Sequence, residues 1–503
     1  MHDLLPLLHG QLDDVITSIR FFMPEIYLSA LFVIVLVTDL LFGRNSGWLC
    51  RVVSIAGLVY VLLKSVGQAQ LVAGDKSVPF FSNMLLLNHT TLILKLLIDV
   101  IAIIILLFYE WDDNLKSHTK KLSDLYSISV AAILGLHLMV MAANLLSIYL
   151  SVEMVSIASY LMVSYKTENR WGSEAGLKYV LFGAACSAIM LYGISLLYGL
   201  CGTLDLFTGA LTYGLMHANP LTAFFALILL LVGIGFKLSF VPMHFWAPDI
   251  YQGAPTPVSA FLSALPKIAA FGLLINFISP FTDPSIKWNA FDFQLFLSIV
   301  AIATMIAGNF AAALQNNVKR MLAYSSIGHT GFAMMALVNF SLQKQGIDAL
   351  EFYLLAYAFA GTAAWMLATY FADVAGAEDM AAYKGLGFKY PLAGVCFIII
   401  LISLTGIPLT AGFNGKLLAF SAVYSVYRDS HNIWMLLLMI TGAVTTVVSL
   451  FYYIKIPLNL FLRKTDRTTG FASSNSVLLT GIAIITILIV YLGVFPDFIY
   501  RYL

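Results

Sequence analysis

Charge is scarce in this chain. Lysine, arginine, aspartate and glutamate together make up 11% of its 503 residues, and 60% are hydrophobic. No soluble core needs that balance, so the chain reads as a polytopic membrane protein. Cysteine is scarcer still. The four cysteines, Cys50, Cys186, Cys201 and Cys396, are scattered and form no CxxC pair, which argues against an iron–sulfur cluster. The histidines are too dispersed for a metal site. There is no P-loop and no GxGxxG set between a strand and a helix, so no nucleotide site is evident. A net charge of +1 gives no reason to expect a nucleic-acid partner. The N-terminus lacks the basic n-region and small-residue cleavage site of a signal peptide. The first apolar segment, 21–42, is therefore expected to be a retained span.

What is abundant is long apolar runs. A spanning helix needs about 20 mostly apolar residues, and about fourteen such windows can be counted. They lie near 21–42, 48–68, 88–109, 124–142, 144–165, 175–201, 219–241, 255–279, 290–314, 321–340, 349–373, 390–427, 432–460 and 474–495. Two are predicted to be discontinuous: helix 7 (219–241) runs into Pro242 and Pro248, and helix 12 (390–427) holds Gly406, Pro408, Gly412 and Gly415. The loops after odd-numbered helices carry Arg44, Arg51, Lys116, Lys120, Lys121, Lys166, Arg170, Lys178, Lys319, Arg320, Lys384, Lys389, Lys455, Arg463, Lys464 and Arg467. The opposite side has Arg20, Lys76, Lys287, Lys344, Arg428 and Arg501, about 16 against 6. The positive-inside bias makes the odd loops cytoplasmic and puts both termini outside. No loop is long enough for a separate soluble domain, so 1–503 is expected to form one all-α membrane domain.

Within this apolar background four ionisable residues stand out: Glu153, Lys237, Lys267 and Lys416, each in a separate helix. A charge at membrane depth costs roughly 3 kcal/mol or more, and several together are most simply read as a proton or ion path. Lys237 and Lys416 lie 179 residues apart, and Glu153 and His329 lie 176 apart. That near-constant offset predicts two five-helix repeats, 124–279 and 290–460, the second inverted as in many transporters. Three helices (21–109) precede them and one (474–495) follows. Lys267 has no charged counterpart near Thr446, so the halves are not chemically equivalent.

Each residue also has a structural alternative. Glu153, among Ser147, Ser151, Ser156 and Ser159, could simply pair with a lysine to hold helices; the partner expected for it is Lys237. Lys237 could snorkel to the interface, and Lys267 could sit in a salt bridge. Lys416 follows a Gly/Pro break, tolerated at membrane depth only in protein or beside a cavity. Lys95 and Asp99, four apart on one helix face, are expected to be a structural pair. Glu25 and Asp39 are expected to meet the interface near the ends of the first span. For His329 a relay role and a hydrogen-bonded structural role stay equally open. His244 is expected to be structural.

Three stretches carry a family resemblance. They are Gly233–Lys237 with Pro242–Phe261, including Tyr251-Gln252-Gly253-Ala254-Pro255-Thr256-Pro257; Asn317–His329; and Gly406–Lys416. Together they resemble the antiporter-like membrane subunits of respiratory complex I, and the Tyr251–Pro257 segment resembles the N-type branch. The resemblance covers about 20–495. It implies that Glu153 and Lys237 form the family's glutamate–lysine pair, that Lys267 connects, and that Lys416 lies toward the exit, with His329 on the route. It also implies NAD, FMN, iron–sulfur clusters and quinone on partner subunits and none on this chain. The implied partners are paralogous antiporter-like subunits, small helical subunits and lipid, in a bacterial cytoplasmic (inner) membrane. Leu409 departs from a common second proline after Pro408, and Pro266, directly before Lys267, is expected to distort its helix. The rival readings are a subunit of a cation/proton antiporter complex, a structural spacer, and a complex fed by another electron donor.

Overall fold

The structure, a computed structural model, describes residues 4–43, 46–74, 76–116, 122–166, 168–282, 291–339, 344–463 and 475–502. It opens with α1 (Leu4–Phe21), α2 (Met23–Phe42) and α3 (Ser46–Gly67), then a small antiparallel hairpin, β1 (Val78–Phe80) with β2 (Leu85–Leu87), in the register Val78↔Leu87. The helices continue as α4 (His89–Trp111), α5 (Asp113–Lys116), α6 (Ser123–Met141), α7 (Leu145–Val163), α8 (Arg170–Cys201) and α9 (Gly209–His217). Next come α10 (Pro220–Leu238), α11 (Trp246–Gly253), α12 (Thr256–Ile278), α13 (Phe293–Ala313), α14 (Val318–Leu337) and α15 (Lys344–Ala375). The chain finishes with α16 (Leu386–Lys389), α17 (Pro391–Thr405), α18 (Ala411–Ser430), α19 (Ile433–Tyr453), α20 (Lys455–Pro457), α21 (Ser476–Val494) and α22 (Asp497–Tyr500).

Asparagine sets many helix starts. Asn88, Asn144, Asn169, Asn219, Asn317, Asn432 and Asn475 each accept a first-turn backbone N–H, of α4, α7, α8, α10, α14, α19 and α21. Such a cap satisfies a donor that the helix cannot.

Among the described residues, twelve helices are long and apolar enough to cross a membrane. The other two expected windows differ. That near 321–340 folds as α14, whose start carries Lys319 and Arg320, and that near 390–427 folds as the pair α17 and α18. The amphipathic α1 precedes the first expected span as a separate helix. The loop cations Arg44, Lys120, Lys121, Lys287, Lys464 and Arg467 lie outside the described residues.

At the centre stand α12 and α15, whose best apolar windows are 100% and 94% buried, against 22% for the peripheral α2. Lipid gives no hydrophobic drive between helices, so close packing has to hold them. The contact of α13 and α14 shows this. A Cβ on Gly308 would lie 2.3 Å from the backbone nitrogen of Gly328.

The two expected repeat regions share local features. Asn144 caps α7 and bridges Asp205, just past the 32-residue α8; Asn317 caps α14 and bridges Asp379, just past the 32-residue α15. Further on, α10 and α17 both end on a left-handed residue, Ser239 at φ 57° and Gly406 at φ 86°.

Candidate functional site

The first helix break lies between α10 and α11. A helix end inside the membrane exposes carbonyls that water cannot reach, and here side chains take them. The Trp246 indole donates to Phe236 O at 3.1 Å, and the Thr330 hydroxyl donates to Leu238 O at 3.0 Å. The Thr304 hydroxyl accepts the unwound Val241 N–H at 3.0 Å. Lys237 sits in the last turn of α10, 3% exposed, so it does not snorkel. Its Nζ has no hydrogen-bond partner among the described residues, and neither has Glu153 Oε1. No ion pair joins the two residues there, although Glu153 is the carboxylate whose charge reaches Lys237. The expected pair is therefore an electrostatic neighbourhood with a gap, not a contact.

Lys267 lies eleven residues into α12, about 16 Å along its axis. The salt bridge of the structural alternative is absent among the described residues. Nζ donates to Ser326 O at 2.8 Å, Ser326 Oγ at 2.6 Å and Thr330 Oγ1 at 3.0 Å, all neutral acceptors on α14. Pro266 does not interrupt α12. A proline removes the N–H that the carbonyl four residues earlier would accept. That carbonyl, Leu262 O, instead takes the Tyr251 hydroxyl at 3.1 Å. The segment that carries the N-type resemblance thus repairs the proline gap beside Lys267.

The second break lies between α17 and α18. Lys416 is 4% exposed, in the second turn of α18. Its Nζ donates to Thr405 O, the last carbonyl of α17, at 2.8 Å and lies 4.3 Å from the Phe332 ring centre. The missing side chain of Gly406 leaves room for it; a Cβ there would come within 2.7 Å of Lys416 Cδ. Leu409 adopts φ 72°, which a proline ring fixed near −65° cannot take. The departure from the family's second proline matches that backbone.

His329 stands between the last two lysines. Its Nδ1 is 2.7 Å from the Tyr353 hydroxyl and its Nε2 is 3.2 Å from that of Tyr453, which also bonds Ser325 Oγ. The Tyr357 ring stacks obliquely at 4.9 Å. His329, Tyr353, Tyr357, Ser403 and Lys416 line a cavity of about 10 Å³, roughly one water. Glu153 remains off this set. The cavity links His329 with Lys416, while Lys267 reaches the helix of His329 through Ser326 and Thr330.

Sequence reasoning missed these tyrosines, and Ser326 and Thr330, although the latter are spaced i, i+4 on the helix of His329. It also missed a charged vestibule of about 370 Å³ beside the start of α12. There Asp249 pairs with Arg320 at 2.7 Å and Lys178 at 2.9 Å, and Lys319 pairs with Glu378 at 2.8 Å. Finally, Lys95 and Asp99 do not pair with each other. Lys95 pairs with Glu25 and Asp99 with His137, and Glu25 is fully buried rather than at an interface.

The whole arrangement has close relatives. The family model for the transmembrane region of NADH:quinone oxidoreductase and Mrp antiporters matches residues 142–449. NADH-quinone oxidoreductase subunit N of Chlorobium chlorochromatii is 38% identical over 463 residues, covering 91% of this chain and 88% of that one. Subunit N 1 of Solibacter usitatus is 34% identical, covering 96% and 95%. A chain of respiratory complex I from Thermus thermophilus superposes with a TM-score of 0.77 at 27% identity, covering 95% of this chain and 98% of that one. The Mrp complex of a Dietzia species shares the fold alone, with a TM-score of 0.78 at 17% identity over 96% of both chains. The chain belongs to the antiporter-like membrane subunits of NADH:quinone oxidoreductase, among the proteins named subunit N.

Proposed function

We propose that this chain moves protons across a bacterial cytoplasmic membrane, driven by NADH oxidation and quinone reduction on partner subunits that hold the NAD, FMN, iron–sulfur and quinone sites. The observation that carries the reading is that Lys237 and Lys416, at helix breaks, and Lys267, inside α12, are buried with no carboxylate in ion-pair range among the described residues. A lysine kept only for architecture would be neutralised by a partner, since an unpaired buried charge is costly. Lysines held by neutral oxygens can exist with or without the extra proton. Protons would enter from the charged vestibule, pass Glu153, Lys237, Lys267 and His329, and leave past Lys416. Charges at low dielectric interact strongly, so each transfer biases the next.

Several features support the wider frame. The cations of the odd loops, Lys178, Lys319 and Arg320, gather at one vestibule, as a common cytoplasmic side requires; both termini then face the periplasm. Helix α14 and the α17–α18 pair complete fourteen crossings in this reading. The matched caps and breaks support two inverted five-helix repeats. The exposed apolar faces of α2, α3, α8 and α21 suit lipid and the neighbouring membrane subunits. The test is Lys237→Ala in the assembled complex in closed vesicles, with NADH oxidation and proton uptake followed together. Loss of uptake with intact assembly supports the reading; wild-type uptake refutes it.

A further inference from the structure

A second set of buried ionisable groups lies at the contact of α2, α3, α4 and α6. Glu25, Lys95, Asp99 and His137 are each 0% exposed. Lys95 pairs with Glu25 and donates to Gln68 Oε1 at 2.8 Å. His137 Nδ1 lies 3.2 Å from Glu25 Oε1, and its Nε2 lies 2.9 Å from Asp99 Oδ1. The Ser65 hydroxyl donates to Asp99 Oδ2 at 3.4 Å. Glu25 Oε2 is buried with no hydrogen-bond partner among the described residues.

This geometry has a proton count built into it. A neutral imidazole has one N–H donor and one acceptor nitrogen, and an ionised carboxylate only accepts. A neutral ring placed between two ionised carboxylates would therefore turn one lone pair toward another. Both contacts are satisfied only if the ring is imidazolium or one carboxyl is protonated. Counting charges agrees. Two carboxylates, one ammonium and a neutral ring sum to −1 in a fully buried place, and one more proton brings the sum to zero.

We propose that Glu25, His137 and Asp99 form a second proton-binding site, taking one exchangeable proton that the lysine axis does not account for. When it binds, a proton from water joins the ring nitrogen or carboxylate oxygen, and the site's charge rises from −1 to 0. The site flanks the helix that carries Lys267. Leu94, beside Lys95, and Val140, one turn from His137, both close on Gly272 of α12, where a Cβ would lie 3.0 and 3.1 Å from them. Gly272 is five residues, about 7.5 Å, along α12 from Lys267. Loading or emptying the site thus changes the field on the central axis from the side. The binding claim stands on this geometry; only its effect on pumping rests on the proposed function.

The test is Asp99→Asn in the assembled complex. An asparagine amide can donate to His137 Nε2, so a neutral ring is satisfied and the extra proton is not needed. Infrared spectra with ring-labelled histidine, taken across pH, should show an imidazolium or protonated-carboxyl signal in the wild type that D99N loses. In closed vesicles the pH profile of NADH-driven proton uptake should shift. In assembled D99N, unchanged imidazolium and carboxyl signals overturn the site itself, and changed signals with an unmoved profile overturn its effect on pumping. Should D99N not assemble, Glu25→Gln removes the other carboxylate with the same expectation. Loss of assembly in both variants overturns it in favour of an ion-pair clamp. Neither variant touches Lys237, Lys267 or Lys416, so this outcome is separable from that of the axis itself.

Discussion

Removing one hydroxyl, with Tyr251→Phe, should loosen α12 beside Lys267 without moving the ring. That hydroxyl supplies the hydrogen bond that Pro266 denies to Leu262 O, at 3.1 Å. The ring stays packed between Trp246 and Trp365. Leaving a buried carbonyl unsatisfied costs about 1–3 kcal/mol, which is about 5- to 150-fold in a local opening equilibrium. Hydrogen exchange of the α12 amides, followed by mass spectrometry on the assembled complex, reads that opening. Exchange around Leu262–Ile268 should speed up by that factor. Pro266→Ala alone should be near neutral, because its new N–H reaches a carbonyl that already has a donor. In the double variant the backbone N–H restored by Pro266→Ala replaces the lost hydroxyl, so the two changes should be strongly non-additive. Unchanged exchange in Y251F, or a double variant no better than Y251F, would refute the account of how the helix tolerates its proline.

Three other outcomes follow from the same geometry. Gly308→Ala places a methyl against the Gly328 backbone, where no side chain can yield; α13 and α14 should separate at a cost of about 1–3 kcal/mol or more, seen as reduced assembly on native gels. Thr330→Val removes both an acceptor of Lys267 and the donor to Leu238 O; assembly should survive while proton uptake per NADH falls, and unchanged uptake would count against the link between α10, α12 and α14. Tyr353→Phe removes the hydroxyl on His329 Nδ1 and should slow uptake with a larger solvent isotope effect, which a purely structural His329 would not show.

Much of the fold was legible because a bilayer asks for one simple thing, long apolar helices. The two breaks could be read from Pro242, Gly406 and Pro408, since proline and glycine are the residues least favourable to a helix. The site was legible one residue at a time and not as a set. Buried lysines advertise themselves against an apolar background; their neutral partners do not. Ser326, Thr330, Tyr353 and Tyr453 look like ordinary helix residues until packing brings α14, α15 and α19 together. Same-helix spacing misled at Lys95 and Asp99, because each found a better partner on another helix, Glu25 and His137. Nothing in the sequence around Glu25 says that it turns inward. The absence of a direct Glu153–Lys237 contact was equally out of reach, since spacing along a chain says nothing of a gap between helices.

The central claim is that buried lysines carry the protons, and Lys416 tests it most directly, because among the described residues its ammonium meets the Thr405 carbonyl and the Phe332 ring, neither of them charged. The measurement is protons taken up per NADH oxidised by closed vesicles bearing Lys416→Ala, with assembly checked and a protonophore control. The account predicts that uptake collapses while the complex still assembles. Wild-type uptake per NADH in the assembled variant would contradict it and leave this chain a scaffold.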